Sequence, residues 1–311
     1  MFHRLTLFDA SNEPIVAAID EIFGARYVPS YERPHSANAN YAVHQWQWRS
    51  LSDENGSENG SEDGSKGAGA PATDPTLALK VALQTWSQQH SGDYVLQSSQ
   101  QPIPTIKLAV FDMDSTLIQA EVMDELAYSM GIGPQVALIT ASSMAGELDF
   151  EQSFRQRLAL LKGFGTDQLA AINQTLKLMP GAEQLMKGLQ EQGIYCVILS
   201  GGFSYFADRL ALRLGMQAAF SNPLEAIDGQ LTGQVAGSIL DANRKVELMH
   251  QIRHTLGLSL NQCLAVGDGA NDLPMLNEAG LGVAFHGKPL VRQQAPHQIN
   301  HANLEVLLHL V

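Results

Sequence analysis

The chain has 311 residues, 45% of them hydrophobic, enough material for more than one buried core. Its formal charge of -13 argues against nucleic acid and against anionic membrane surfaces, both of which reward basic patches. No secretory apolar segment opens the sequence and no run of ~18 apolar residues could span a bilayer, so a cytoplasmic location is the default expectation.

The first hundred residues predict the order β-α-β-β-α-β: a strand at 5–8, a helix at 14–23, strands at 25–31 and 41–48, a helix at 75–89 and a strand at 94–97. That order is the pattern of a ferredoxin-like α+β unit, expected over residues 1–100. It resembles the amino-acid-sensing ACT type, and its sheet offers an edge or face for pairing into a homodimer. The first turn, Asp9-Ala10-Ser11-Asn12-Glu13-Pro14, lacks the glycine that a ligand-binding version of that type implies, so little amino-acid binding is expected there. Residues 52–70 form an acidic insertion with near-repeats such as Glu54-Asn55-Gly56-Ser57 and Glu58-Asn59-Gly60-Ser61. It holds too few apolar groups to offset the entropy of ordering, and a mobile loop is predicted. A linker at 98–105, marked by Pro102 and Pro104, leads into a second domain over 106–311.

That domain opens with a buried-type strand, Leu108-Ala109-Val110-Phe111, running into Asp112-Met113-Asp114-Ser115-Thr116-Leu117. The two-residue period of a strand points the Asp112 and Asp114 carboxylates the same way, at the end where an open α/β sheet places its chemistry. A calcium loop would need Gly at its sixth position and Glu at its twelfth; Leu117 and Met123 stand there instead. From 121 to 179 the pattern is helical with glycine breaks, an insertion that would cap the site. In it, Phe150, Phe154 and Arg157 fall on one helix face, and Glu121 lies near the start of a helical stretch over 121–130. An anionic and a cationic side chain over the site would suit a zwitterionic amino acid, although each is more commonly a solvated helix charge.

A third apolar run, 194–199, ends in Ser200-Gly201-Gly202 before a helical stretch starting at Phe203. Glycines there would let backbone N–H groups approach an anion, and a helix N-terminus would add its dipole. Lys245 begins another helical segment after Asp241-Ala242-Asn243-Arg244, and the run Cys263-Leu264-Ala265-Val266 delivers Gly267-Asp268-Gly269-Ala270-Asn271-Asp272. Two acidic clusters at strand ends suggest a divalent cation between them. Cys196 and Cys263 lie in strand-like runs and read as core hydrophobes.

In that order, Asp112 to Thr116, Ser200, Lys245 and the 267–272 run resemble the four motifs of the haloacid dehalogenase superfamily of phosphatases. Glu121, Met144, Phe150 and Arg157 resemble the substrate-recognition positions of its phosphoserine phosphatase branch. The likeness covers residues 107 onward and implies a doubly wound parallel α/β sheet with a helical cap. It implies hydrolysis of O-phospho-L-serine to L-serine and phosphate, the last step of serine biosynthesis, through an aspartyl-phosphate. Asp112 would be the nucleophile and Asp114 the acid and base. Mg²⁺ would be held by Asp112, the Asp114 carbonyl, Asp268 and Asp272. Ser200, Gly201, Lys245 and Asn271 would hold the phosphate, and Glu121, Met144, Phe150 and Arg157 the serine moiety. The same chemistry on another small phosphomonoester, phosphoryl transfer to a second alcohol, and an inert amino-acid-binding regulator are the alternatives.

Overall fold

In a computed structural model the described residues are 2–9, 42–49, 75–100, 102–144 and 147–311, and they divide into two compact units at Ile103/Pro104. In the first unit, β1 (Phe2–Asp9) lies between β2 (Ala42–Arg49) and β3 (Asp93–Ser99) and is antiparallel to both. Helix α1 (Pro75–His90) carries Leu79, Leu83 and Trp86 at a helical spacing, and these pack with Leu5, Leu7 and Trp46 in one core. These elements lie within a few residues of the predictions. The helix predicted at 14–23, the strand at 25–31, the insertion at 52–70 and the first turn at 10–14 lie outside the described residues.

The second unit is built on six parallel strands: β4 (Leu108–Phe111), β5 (Tyr195–Phe203), β6 (Ala218–Asn222), β9 (Cys263–Gly267), β10 (Leu281–Phe285) and β11 (His297–Ile299). Their order in space is β11-β10-β9-β4-β5-β6. The chain therefore winds one way from β4 through β5 to β6, and the other way from β9 through β10 to β11. The reversal falls between β4 and β9, whose carboxyl ends are the crevice where such sheets bind ligands. Both strands are buried along their whole length, as continuous apolar runs in a parallel sheet require. Helices α6 (Ala182–Glu191), α7 (Ser204–Leu214), α8 (Ala242–Thr255), α9 (Leu273–Glu278) and α10 (Pro289–Gln294) complete the crossovers. Leu248 and Met249 of α8 and Met275 and Leu276 of α9 share a core with Val110, Val197 and Ala265.

Between β4 and α6 the described chain forms four helices, α2 (Val122–Ser129), α3 (Gly133–Met144), α4 (Phe150–Ala159) and α5 (Gln168–Thr175). The insertion closes where it opens, because Gln119 N–H donates to Lys177 O and Met179 N–H donates to Leu117 O, each at 2.9 Å. The structure adds a hairpin, β7 (Leu224–Ile227) and β8 (Gln230–Val235), whose backbone exchanges hydrogen bonds with the segment after α4: Gly163 N–H to Leu231 O and Leu231 N–H to Phe164 O, both 2.8 Å. One sequence expectation is corrected here. The strand predicted to stop at Leu199 continues through Ser200-Gly201-Gly202 to Phe203, paired to β6 with a register shift, and α7 begins at Ser204. No helix among the described residues is long and apolar enough to cross a membrane.

Candidate active site

The β4–β9 pairing sets Phe111 opposite Val266, and Asp112 N–H donates to Val266 O at 2.9 Å. The two acid clusters thus leave adjacent strands side by side. Asp112, Asp268 and Asp272 are all buried, with carboxylate oxygens within 4.8 Å of one another. Lys245, fully buried in the first turn of α8, brings Nζ to 3.0 Å from Asp112 Oδ1 and 2.7 Å from Asp272 Oδ1. Its helix starts there because Asp241 caps it, accepting from Arg244 N–H at 2.8 Å.

Burial and neighbouring charge act together on the titrating groups of this cluster. Burial alone would lower the Lys245 ammonium, but Asp112 and Asp272 outweigh it and hold the group above its ordinary value. Burial pushes Asp268 up to about 6, with Lys288 opposing and Asp112 adding to the rise; burial, then Asp112, also raises Asp272. Asp112 and Asp272 share the fully buried Lys245, and Asp268 meets only the half-exposed Lys288, which leaves a surplus of negative charge that a hard divalent cation would neutralise. All-oxygen donors in a buried cluster suit Mg²⁺. Asp272 has both oxygens engaged, one by Lys245 and the other by Gly269 N–H at 2.9 Å, so it suits a supporting place better than a direct one. A Cβ on Gly267 would collide with the Asp272 side chain, which is why that strand ends in glycine.

Asp112 is asymmetric. Its Oδ1 takes Met113 N–H at 2.7 Å and Lys245, while Oδ2 has no hydrogen-bond partner among the described residues. One oxygen is pinned and the other is available to attack. Asp114 stands apart from the three-carboxylate cluster: its Oδ1 accepts Val122 N–H at 3.2 Å, at the start of α2, and its Oδ2 would lie 2.7 Å from a Cβ on Gly202. Only glycine leaves that oxygen room. Burial, then the Glu121 and Asp112 carboxylates, hold Asp114 well above the ordinary carboxylate range, which favours the protonated form that an acid needs.

Ser200 is fully buried and its Oγ accepts Gly202 N–H at 2.9 Å. Asn222 sets the loop, donating to Gly201 O at 2.8 Å and accepting Leu240 N–H at 2.7 Å. Asn271 follows Asp268 in the same loop, with its side-chain oxygen lying over Gly269. Glu121, the residue preceding α2, accepts from Ser115 Oγ at 3.0 Å. Phe150 opens α4, stacks on Phe154 and reaches Gly201, where a Cβ would lie 3.3 Å from its ring. Arg157, on the same helix, is partly buried and feels Asp124 and Glu121; burial lowers its guanidinium. The structure therefore brings Glu121, Phe150 and Arg157 toward the same end of the sheet. Met144 ends α3, and its side chain lies outside the described residues. Three residues had no assigned role in the sequence reading: Thr116, whose buried hydroxyl donates to Asp268 Oδ1 at 3.2 Å, Asn222, and Lys288. Thr116 lies inside the first motif and was within reach; the other two carry no local signal. Burial pushes the Cys196 and Cys263 thiols up to about 12 and about 11, which removes thiolate chemistry from the candidates.

Residues 106–280 match the family of haloacid dehalogenase-like hydrolases. A phosphoserine phosphatase of Polaromonas sp. is 46% identical over 211 residues, covering 66% of this chain and 89% of its own. One from Archaeoglobus fulgidus is 44% identical over 198 residues, 64% of this chain and 58% of that protein, so the chain spans little more than half of that relative's length. The crystal structure of a HAD family hydrolase from Salmonella enterica serovar Typhi aligns with 100% of this chain and 98% of its own at TM-score 0.82 and 29% identity.

Proposed function

Because the chain belongs to the haloacid dehalogenase-like hydrolases, we propose that it hydrolyses O-phospho-L-serine to L-serine and phosphate in a Mg²⁺-dependent reaction, as the last step of serine biosynthesis in the cytoplasm. The observation that carries this reading is the asymmetric Asp112, one oxygen held by Met113 N–H and Lys245 and the other free beside Asp268 and Asp272. Asp112 Oδ2 attacks phosphorus and forms an aspartyl-phosphate, splitting one hard displacement into two. Asp114, protonated at the outset, gives its proton to the departing serine oxygen and then takes one from the hydrolytic water, a role worth ~10²- to 10⁴-fold. Mg²⁺, when bound, supplies charge neutralisation for the phosphoryl oxygens, with Asp112, the Asp114 carbonyl and Asp268 as its holders and Asp272 in support. Lys245, Ser200, Asn271 and the backbone N–H groups near Gly201 receive the phosphate oxygens. Glu121 takes the ammonium and Arg157 the carboxylate of the serine moiety, with Met144 and Phe150 enclosing its stem.

For residues 1–100 the reading is a ferredoxin-like, ACT-like unit, supported by the central place of β1 between two antiparallel neighbours, with homodimer pairing as its use. The catalytic domain spans 106–311, with the helical cap over about 121–179. A phosphate-release screen over phosphoserine, phosphothreonine and sugar phosphates, with and without Mg²⁺, tests the whole reading. Turnover of sugar phosphates in preference to phosphoserine would overturn it.

Two further outcomes are expected. Mg²⁺ at about 100 times its dissociation constant should stabilise the fold by about 2.7 kcal/mol through preferential binding to the native cluster; an unchanged melting temperature on adding Mg²⁺ after chelation argues against the metal site. Arg157→Ala should lose about 10²-fold in kcat/KM on phosphoserine, the scale of a truncated buried charge pair. The loss on an aryl phosphate should be far smaller. Equal losses on both would assign Arg157 to the fold.

A further inference from the structure

Lys288 lies outside every motif read from the sequence, yet it touches two of the site's carboxylates. Its backbone N–H donates to Asp268 O at 3.0 Å, and Pro289 follows at the first position of α10, so its main chain is tied to the end of β9. From there Nζ lies 3.4 Å from Asp268 Oδ2 and 3.4 Å from Glu121 Oε1. Ser115 Oγ donates to the same Glu121 oxygen at 3.0 Å. Ser115 adopts φ 54°, in the left-handed region that a non-glycine residue seldom occupies. Two donors from two loops thus converge on Oε1, while Oε2 has no hydrogen-bond partner among the described residues. A glutamate on a turn would otherwise sample several rotamers, and a ligand would have to order it on binding. Here the ordering is done beforehand, and one oxygen is left for a cation.

We propose that Lys288 is a positioning residue for substrate selection: with Ser115 it holds Glu121 by one oxygen, presents the other to a substrate ammonium, and so favours phosphate esters that carry an amino group. Its charge also stands between Glu121 and Asp268, two carboxylates that would repel each other without it. The inference rests on the reading of Glu121 as the ammonium acceptor. Because the Lys288 side chain is 54% exposed, the effect belongs to the scale of a partly exposed ion pair rather than a buried one.

The test compares the full-length wild type with Lys288→Met and Lys288→Arg on phosphoserine and on 3-phosphoglycerate, which has a hydroxyl where phosphoserine has its ammonium. Lys288→Met is expected to raise KM for phosphoserine about threefold to fivefold with kcat within about twofold, and to shift KM for 3-phosphoglycerate by a clearly smaller factor. Lys288→Arg should restore most of the KM. In a Glu121→Gln background the effect of Lys288→Met should vanish, because the group it positions no longer carries charge. Equal KM shifts on both esters, a fall in kcat with KM unchanged, or an undiminished effect without the Glu121 charge would each overturn the proposal. A wild type inactive on phosphoserine would overturn the functional reading and this inference together, whereas an active wild type with equal shifts overturns this inference alone.

Discussion

Asp112→Asn is expected to remove at least ~10⁴-fold of the phosphoserine turnover, the order seen when an attacking group is deleted. The amide keeps the shape of the carboxylate but offers no anionic oxygen to phosphorus. It should leave the fold intact, since the partner it takes from Lys245 is offset by one charge fewer in a cluster where Asp112, Asp268 and Asp272 crowd within 4.8 Å. Lys245 retains Asp272 as a partner at 2.7 Å. A melting temperature close to that of the wild type beside lost activity would separate chemistry from folding. Mass spectrometry of acid-quenched wild type with phosphoserine should find a phosphoryl group on the peptide containing Asp112. An Asp112→Asn enzyme within tenfold of wild type, or a phosphoryl group on another residue, would sink the covalent route. Asp114→Asn should lose less, ~10²- to 10⁴-fold, because an activated leaving group can depart without a proton.

The parts of this site that were legible in sequence are those whose signal is local. The runs of β4 and β9 read as buried strands because both faces of a parallel sheet are covered, and each was followed by acids that only a strand end could place. Lys245 needed its helix start, which Asp241 announces. The hairpin β7–β8 carried a legible signal in Asp228-Gly229, which take φ 51° and 76° as a tight two-residue turn requires. Its flanking strands are short and half-exposed, so no strong alternation marked them. Ser200-Gly201-Gly202 read as the end of the strand because glycine weakens strand propensity, but the extended backbone runs on through them to Phe203, which pairs with Asn222 after a register shift. Asn222 and Lys288 act across long sequence separations, Asn222 on the Gly201 and Leu240 backbone and Lys288 on Glu121, and no local pattern records such a contact. The residues that were missed are those that hold others in place.

Lys245→Met should be the most damaging substitution to the fold itself. The lysine is fully buried, as is Asp272, and the Asp112 side chain is 8% exposed, so water cannot replace the ammonium. A methionine fills much of the same volume, which leaves the electrostatic loss as the main effect. Two buried carboxylates, Asp112 and Asp272, then face each other with no counter-charge between them, a situation that costs about 3–5 kcal/mol. Urea unfolding without divalent cations should report a loss of that size with little change in slope. Adding Mg²⁺ should recover part of it, since the ion supplies the missing positive charge at the same cluster. A second change, Asp272→Asn in the Lys245→Met background, should recover stability as well, because it removes one of the stranded charges; its effect alone in the wild type should be destabilising, because it takes a partner from Lys245. Turnover should not return in either case, since the phosphate would still lack its buried ammonium. If Lys245→Met unfolds at the wild-type urea concentration, or if Asp272→Asn adds to its loss instead of offsetting it, the cluster is not the coupled unit that its distances describe.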